Sequence, residues 1–388
     1  MDRPSLPPLR LSGHLHLAHR LVLSLLSGRP LSITSIRPDA DDPGLLDYEV
    51  QLLQLLEQVT NGTSVKISHT GTALTFVPGT IVNGSFTFAV GVSRPVGYFL
   101  EVLVALAPFG KKPLAATLSE CVTAPDHRGD LSPDTVRTAT LPYLSAAFGL
   151  DAGCLELNVD RRGAAPLGGG QVRLVVQPAA AAKLHPVRLM DAGRIKKIRG
   201  VASATRVSPA LATRVANAAR AVLTRYIPDV YVYADAARKD AAGKSPGFAV
   251  SLVASSTNEA VRYVADAASR ARVADPRSGE EIRPAVNDPE WVGEQCARAL
   301  LAQIQLAGCV DVAHEWLTLV YATVAGEEVS KWVQARRGEH GLDDISIQSL
   351  RDLKDFFNVQ FKIATTPDGQ IAISGVGAGL ITVNKKFT

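Results

Sequence analysis

The chain has 388 residues, well beyond the length of a typical single domain, with 46% hydrophobic and 20% charged residues. That composition supplies a sizeable core and excludes a mostly disordered chain. The formal net charge is only +4, so the total by itself points to no polyanionic partner.

An α/β pattern recurs along the chain. Residues 16–27 read as an apolar helix ending at Gly28, followed by a strand over 31–36, a loop over 37–44 and a helix over 46–59. A second copy has an apolar run over 100–106, then Gly110-Lys111-Lys112-Pro113-Leu114, a strand to Cys121 and a helix opened by Ser132-Pro133-Asp134. A capping serine with proline in the first turn is favourable helix-start chemistry. A third, looser copy runs from Trp291 through a helix ending at Ala307-Gly308, a strand over 316–322 and a helix over 347–357. Between the second and third copies the charge changes. Residues 183–244 hold 13 Lys or Arg against 4 Asp or Glu, net +9, which leaves the remainder at −5. Helical spacing over 211–225 and strand-like runs over 230–233 and 248–253 fill this region. The expected fold is α/β. A large domain of repeated βα units spans 1–183 and 283–388, and a small inserted α/β domain spans 184–282, with 275–289 as its return linker.

Cys121, Cys154, Cys296 and Cys309 are far apart and form no C-x-x-C pair, so neither a zinc cluster nor a disulfide framework is expected. No metal site and no cofactor is predicted. No apolar run reaches membrane-span length. The segment 20–26 follows His14, His16 and His19 and lacks a small-residue cleavage site, so it reads as a helix rather than a secretion signal.

Residues 162–172 form a compact pattern, R-G-x-x-P-x-G-G-G-x-V. Gly168, Gly169 and Gly170 allow positive φ and close backbone approach, and their N–H groups suit an anion nest. A tight turn at a strand entrance is the plainer reading of the same residues. The segment resembles the signature of the RNA 3′-terminal phosphate cyclase family. The run Ser27 to Arg37 with Pro43-Gly44-Leu45, Phe76-Val77-Pro78-Gly79-Thr80 with Gly84, and Phe88-Ala89-Val90-Gly91 are similar to that family as well. The resemblance covers about 10–180 and 290–365.

The departures bear on activity. Active members carry E-G-G-G-Q before the first helix, where this chain has Leu11-Ser12-Gly13-His14-Leu15, with Leu11 at the glutamate position. They also carry a histidine that becomes adenylylated. Counting back from Phe356-Phe357-Asn358 puts Ile345 there, and isoleucine has no lone pair for attack on a nucleotide. His340 stands nearby, after Arg336-Arg337-Gly338-Glu339, in what reads as an exposed loop. These changes resemble the non-cyclase branch of the family, the cyclase-like proteins of eukaryotic ribosome assembly. That resemblance implies a nucleolar factor of the small-subunit processome acting in early pre-rRNA cleavages that yield 18S rRNA. It implies as partners a large ribosome-assembly GTPase and the snoRNA-containing pre-ribosomal particle with its pre-rRNA, and no membrane.

Two mechanisms stay open. In the first the fold is a catalytically dead scaffold without cyclase activity. Arg37, Arg94, Arg162 and Gly168 to Gly170 would retain an anion-friendly surface, and Lys196, Lys197 and Arg199 of the basic insert, with Arg206, Arg214, Arg220 and Arg225, would meet RNA phosphates or acidic protein segments. In the second the protein is an endoribonuclease using Arg351, Asp352 and Lys354. On a helix, 351 and 354 share a side while 352 points about 100° from 351, which suits partner docking by Arg351 and Lys354 better than a catalytic triad. Gly375-Val376-Gly377-Ala378-Gly379 is similar to a nucleotide loop but has no room for the helix that must follow, so it reads as a strand exit.

Overall fold

Three copies of one β-α-β-α-β-β unit build the body of the protein in a computed structural model. The structure describes residues 7–126, 128–178, 184–237, 241–270, 288–326, 328–338 and 341–379, with the backbone of 273–274 and 281–282. The first unit contains β1 (Leu9–Ser12), α1 (Leu17–Ser27), β2 (Leu31–Thr34), α2 (Asp47–Val59), β3 (Thr60–Asn61), β4 (Ser64–Ile67), β5 (Leu74–Val77) and β6 (Thr80–Ile81). Here β3 and β6 form a separate short ladder. The second contains β7 (Ser85–Ala89), α3 (Gly97–Leu106), β8 (Leu114–Cys121), α4 (Pro133–Thr135), a π turn over Val136–Thr140, α5 (Leu141–Phe148), β9 (Leu155–Arg161) and β10 (Gly170–Val176).

The third unit opens with β11 (Arg188–Leu189) and is then interrupted. The insert follows as β12 (Ile195–Thr205), α6 (Pro209–Leu223), β13 (Val230–Ala236), β14 (Gly247–Ser256), β15 (Arg262–Ala268), the short hairpin β16 (Val273–Ala274) and β17 (Glu281–Ile282), and α7 (Pro289–Leu306). The unit resumes with α8 (Glu315–Val324), β18 (Val329–Gln334), α9 (Asp344–Phe357), β19 (Lys362–Thr365) and β20 (Ile371–Val376).

The three body sheets share one topology. Their orders are β1-β2-β5-β4, β7-β8-β10-β9 and β11-β18-β20-β19. In each, the first pair is parallel and the rest antiparallel. A parallel pair needs a crossover, and α1, α3 and α8 supply it. These crossover helices meet at the centre. Leu21, Phe99 and Tyr321 are fully buried, and the Tyr321 hydroxyl donates to the Val104 carbonyl at 3.0 Å. Burying each such side chain stabilises the fold by roughly 1.5–3 kcal/mol. Local chemistry sets the helix ends. The Ser132 hydroxyl accepts from Thr135 N, the Asp343 carboxylate accepts from Ser346 N, and Gly28 at φ 70° donates to Ser24 O.

The expected α/β architecture with an inserted domain is the one observed. One element differs. Residues 316–322 lie in the helix α8 rather than a strand. Every residue of α8 is buried, so no polar face marks a helical period. Thr318 and Thr323 hide their hydroxyls by donating to His314 O and Leu319 O one turn back. The strand of this unit is β18, and α8 takes the place that 291–307 was expected to hold.

Two elements cross the boundaries expected from composition. Residues 188–189 lie beyond 184 yet pair with β18 of the body. Helix α7, beyond 282, packs with α6 on the insert's sheet, where Cys296 Sγ reaches Val250 O and Ala265 O. Residues 275–280 and 283–287 of the expected linker lie outside the described residues.

Candidate functional site

A cavity of about 350 Å³ opens where the three crossover helices converge. Its walls include His16 and His19 from the start of α1, Arg94, Glu101 and Asp130 from the second unit, and His314 to Trp316 at the start of α8. Asp343, Ile345 and Ser346 close it from the first turn of α9. The His19 ring stacks on Trp316 at 3.9 Å, and its Nε2 lies 3.7 Å from Glu101 Oε1. His314 is fully enclosed, with Nε2 at 2.9 Å from Thr140 Oγ1, and burial pushes its pKa down to about 4. Burial also lowers His16, with His19 adding to the effect.

The arginines beside this cavity each face a carboxyl group. Arg94 makes a bidentate pair with Asp130 at 2.8 and 2.9 Å and lies 3.9 Å over the Tyr98 ring. Burial opposes its charge, but Asp130 outweighs that and holds the guanidinium above its ordinary value. Arg337 pairs with Glu315 and, at 3.0 Å, with Asp343. Burial still raises the Glu315 carboxyl to about 8. The cap carboxylate of α9 thus sits where a helix N-terminus would otherwise favour an anion.

The two departures read from the sequence fall at telling places. Ile345 projects from the first turn of α9 into the cavity wall, half exposed at 52%. Leu11 lies in β1 and packs against the core. Among the described residues, no group of three His, Cys, Asp or Glu side chains is placed to hold a metal ion. At the position of the adenylylated histidine the cavity therefore presents an aliphatic side chain, which cannot form a covalent link to a nucleotide. His340 lies outside the described residues.

The other candidate residues are spread over the molecule. Arg37 holds Glu49 in a bidentate pair at 2.7 Å and donates to Gly44 O at 3.0 Å. Arg162 is buried between body and insert, bonded to Asp134 at 2.6 Å and Asp235 at 2.7 Å. Gly168 and Gly169 have φ of 58° and 79°. Their turn packs against residues 243–245, with Lys244 N donating to Gly168 O at 2.8 Å and Leu167 N to Ser245 Oγ at 3.0 Å. A Cβ on Gly243 would come within 2.3 Å of Gly168 O, so the glycines serve a tight backbone seam between the two domains. Gly375 and Val376 end β20, paired with Ser330 and Val329.

On α9, Arg351 and Lys354 are exposed while Asp352 is 2% exposed. Asp352 accepts from Arg20 Nε at 3.0 Å and from Gln348 Nε2 at 2.7 Å. With both oxygens occupied and no access to solvent, it is poorly placed to take a proton from an RNA hydroxyl. The Arg20–Asp352 pair, which ties α1 to α9, was not foreseen. Its signal was one arginine inside an otherwise apolar helix. On the insert, Lys196 is exposed and Lys197 half-buried, and neither makes a salt bridge among the described residues. Arg199 pairs with Asp229 at 2.8 and 2.9 Å.

Comparison with known proteins adds a lineage to this geometry. The family model described as RNA 3′-terminal phosphate cyclase matches residues 9–363. The chain is 39% identical to the rRNA processing protein rcl1 of Schizosaccharomyces pombe, over 97% of this chain and 98% of that protein. It is 39% identical to the RNA 3′-terminal phosphate cyclase-like protein of Homo sapiens over 95% of each. It is 36% identical to a probable cyclase-like protein of Arabidopsis thaliana over 98% and 99%.

Proposed function

The chain belongs to the RNA 3′-terminal phosphate cyclase family, and from that membership we propose that it is an rRNA processing factor of the cyclase-like branch, working by binding rather than by cyclase chemistry. It acts in the nucleolus within the small-subunit processome and supports the early cleavages that lead to 18S rRNA. It binds a large ribosome-assembly GTPase and the snoRNA-containing pre-ribosomal particle with its pre-rRNA. No helix among the described residues is long and apolar enough to cross a membrane.

The observation that carries this reading is Ile345 in the wall of the central cavity. The resemblance puts the adenylylated histidine there, and an aliphatic side chain forms no covalent link to a nucleotide. The one full-length relative above that is named for rRNA processing, that of Schizosaccharomyces pombe, supplies the process.

Purified protein incubated with labelled ATP and a divalent cation is expected to stay unlabelled, and RNA ending in a 3′-phosphate to stay uncyclised. A labelled protein or a cyclised end would reject the non-cyclase reading. In cells depleted of their own copy, the chain is expected to restore 18S rRNA, and Ile345→Ala to restore it equally. Purified protein on precursor RNA tests the endoribonuclease reading: cleavage that disappears in Asp352→Asn while the unfolding midpoint stays at the wild-type value would replace docking by catalysis.

A further inference from the structure

The insert's sheet runs β13-β12-β14-β15, and its two faces differ. One face carries Ile198, Ala202, Val250, Leu252 and Ala254, covered by α6 and α7. The other face is covered only in part. At the β14–β15 side, Val253 and Val264 pack on Ala139 of the body, and Ser132 bonds to Ser251 and Asp266. At the end of β13, Asp235 is taken by Arg162.

What stays open is the β12–β13 side. Strand registry places Tyr231 opposite Arg199 and Tyr233 opposite Val201. The two tyrosines are 59% and 55% exposed. Being two residues apart on one strand, they point the same way about 6.6 Å apart. The same face carries Lys197 in register with Ser255, and Ser255 in register with Arg262. Arg262, at the covered β15 edge, donates from its Nη1 to Ser255 at 3.2 Å. Beyond Tyr231, Arg199 adds the far side of its ion pair with Asp229. Residues 183–244 carry net charge +9 in sequence, of which Arg188, Arg214 and Lys244 are paired with acids outside that segment.

We propose that this open face binds unpaired RNA, with Tyr231 and Tyr233 stacking two bases and Lys197 and Arg199 holding the flanking phosphates. The chemistry selects that ligand over others. Two parallel-facing rings on a pleated sheet offer π-faces to bases splayed out of a helix. The adjacent cations track a backbone of regular negative charge and release its counterions. An acidic peptide uses the cations and leaves the rings idle. A duplex hides its bases from the rings. The proposal deepens the rRNA processing reading and rests on it for the source of the RNA.

The test uses the full chain and short fluorescent RNAs, one an unpaired uridine-rich strand and one a closed duplex. The wild-type protein is expected to bind the unpaired strand more tightly than the duplex. Tyr231→Ala and Tyr233→Ala are each expected to weaken that binding about tenfold. Tyr231→Phe and Tyr233→Phe keep the ring and are expected to restore it. Lys197→Ala is expected to lower the salt dependence by about one phosphate contact, which the tyrosine variants leave unchanged. Unchanged affinity in both alanine variants overturns the stacking site while leaving the processing role intact. Equal binding of duplex and single strand overturns it too, as does binding of an acidic peptide in place of RNA. If the wild-type chain binds neither RNA, the proposal falls, while restoration of 18S rRNA in depleted cells still decides the processing role separately.

Discussion

In the body, Arg94 faces Asp130, Arg337 faces Glu315 and Asp343, and Arg20 faces Asp352. On the open face of the insert, Lys197 has no salt bridge among the described residues, and two tyrosines stand in solvent beside it. The comparison teaches where to look for partners. Charge pairs inside a protein satisfy each other and hold helices in register, and the desolvation they cost leaves little attraction for a third party. Charges left without a partner beside exposed rings have their interactions still to make. The body thus reads as a frame, and the insert as its contact surface.

The largest effect should come from breaking the frame. Arg20→Ala leaves the 2% exposed Asp352 carboxylate with only Gln348 as a partner. The expected loss of stability is about 3–5 kcal/mol, read from the urea unfolding midpoint. Replacing both residues together, Arg20→Met with Asp352→Leu, should cost far less, because no orphaned charge remains. A single variant that unfolds at the wild-type midpoint would break the contrast between a paired interior and an unpaired surface.

A smaller effect, with a sign, comes from His314. Its folded pKa of about 4 lies below its ordinary 6.5 because burial disfavours the imidazolium. Between those values the unfolded chain binds a proton that the folded chain refuses. Stability from this group therefore rises as pH climbs from about 4 to 6.5 and is flat above. The other buried acids nearby shift the opposite way, with Asp311 raised to about 6 and Glu315 to about 8. The clean readout is thus a difference. Wild type should lose up to about 3 kcal/mol relative to His314→Gln as pH falls through that window. A difference that does not change with pH would mean that His314 is not held neutral in the folded state.

How much of this was legible in the sequence follows from the range over which each feature is encoded. The first two units announced themselves because helix caps and apolar periods are local. Ser132-Pro133-Asp134 and the Gly28 stop both mark helix ends in the structure. The third unit slipped by one element because α8 is buried on every side, and a uniformly apolar run carries no period. The insert's charge was visible by counting, but β11 and α7 are assigned by strand pairing and helix packing, which counting does not see. At the cavity, the losses at Leu11 and Ile345 were readable against the family pattern. The partners of the arginines were not. Arg20 and Asp352 are 332 residues apart in sequence, and nothing local to either names the other. Tyr231 and Tyr233 were read only as strand formers, which any alternating β segment favours. Their exposure depends on which half of the sheet the body covers.

The smallest expected effect sharpens the comparison most. Tyr231→Ala and Tyr233→Ala remove rings that are more than half exposed and lie on an edge strand. Neither leaves a buried polar group, and neither opens a cavity in the core. Some cross-strand packing on Arg199 and Val201 is lost, and with it β-propensity. The expected cost is within about 1 kcal/mol for each variant, measured by the same urea titration that reports Arg20→Ala. Residues that serve only the fold lose stability when truncated, whereas residues that serve a partner lose affinity and keep the fold. If either tyrosine variant destabilises the chain as much as Arg20→Ala, its ring is part of the frame after all, and the division between frame and contact surface moves into the insert itself.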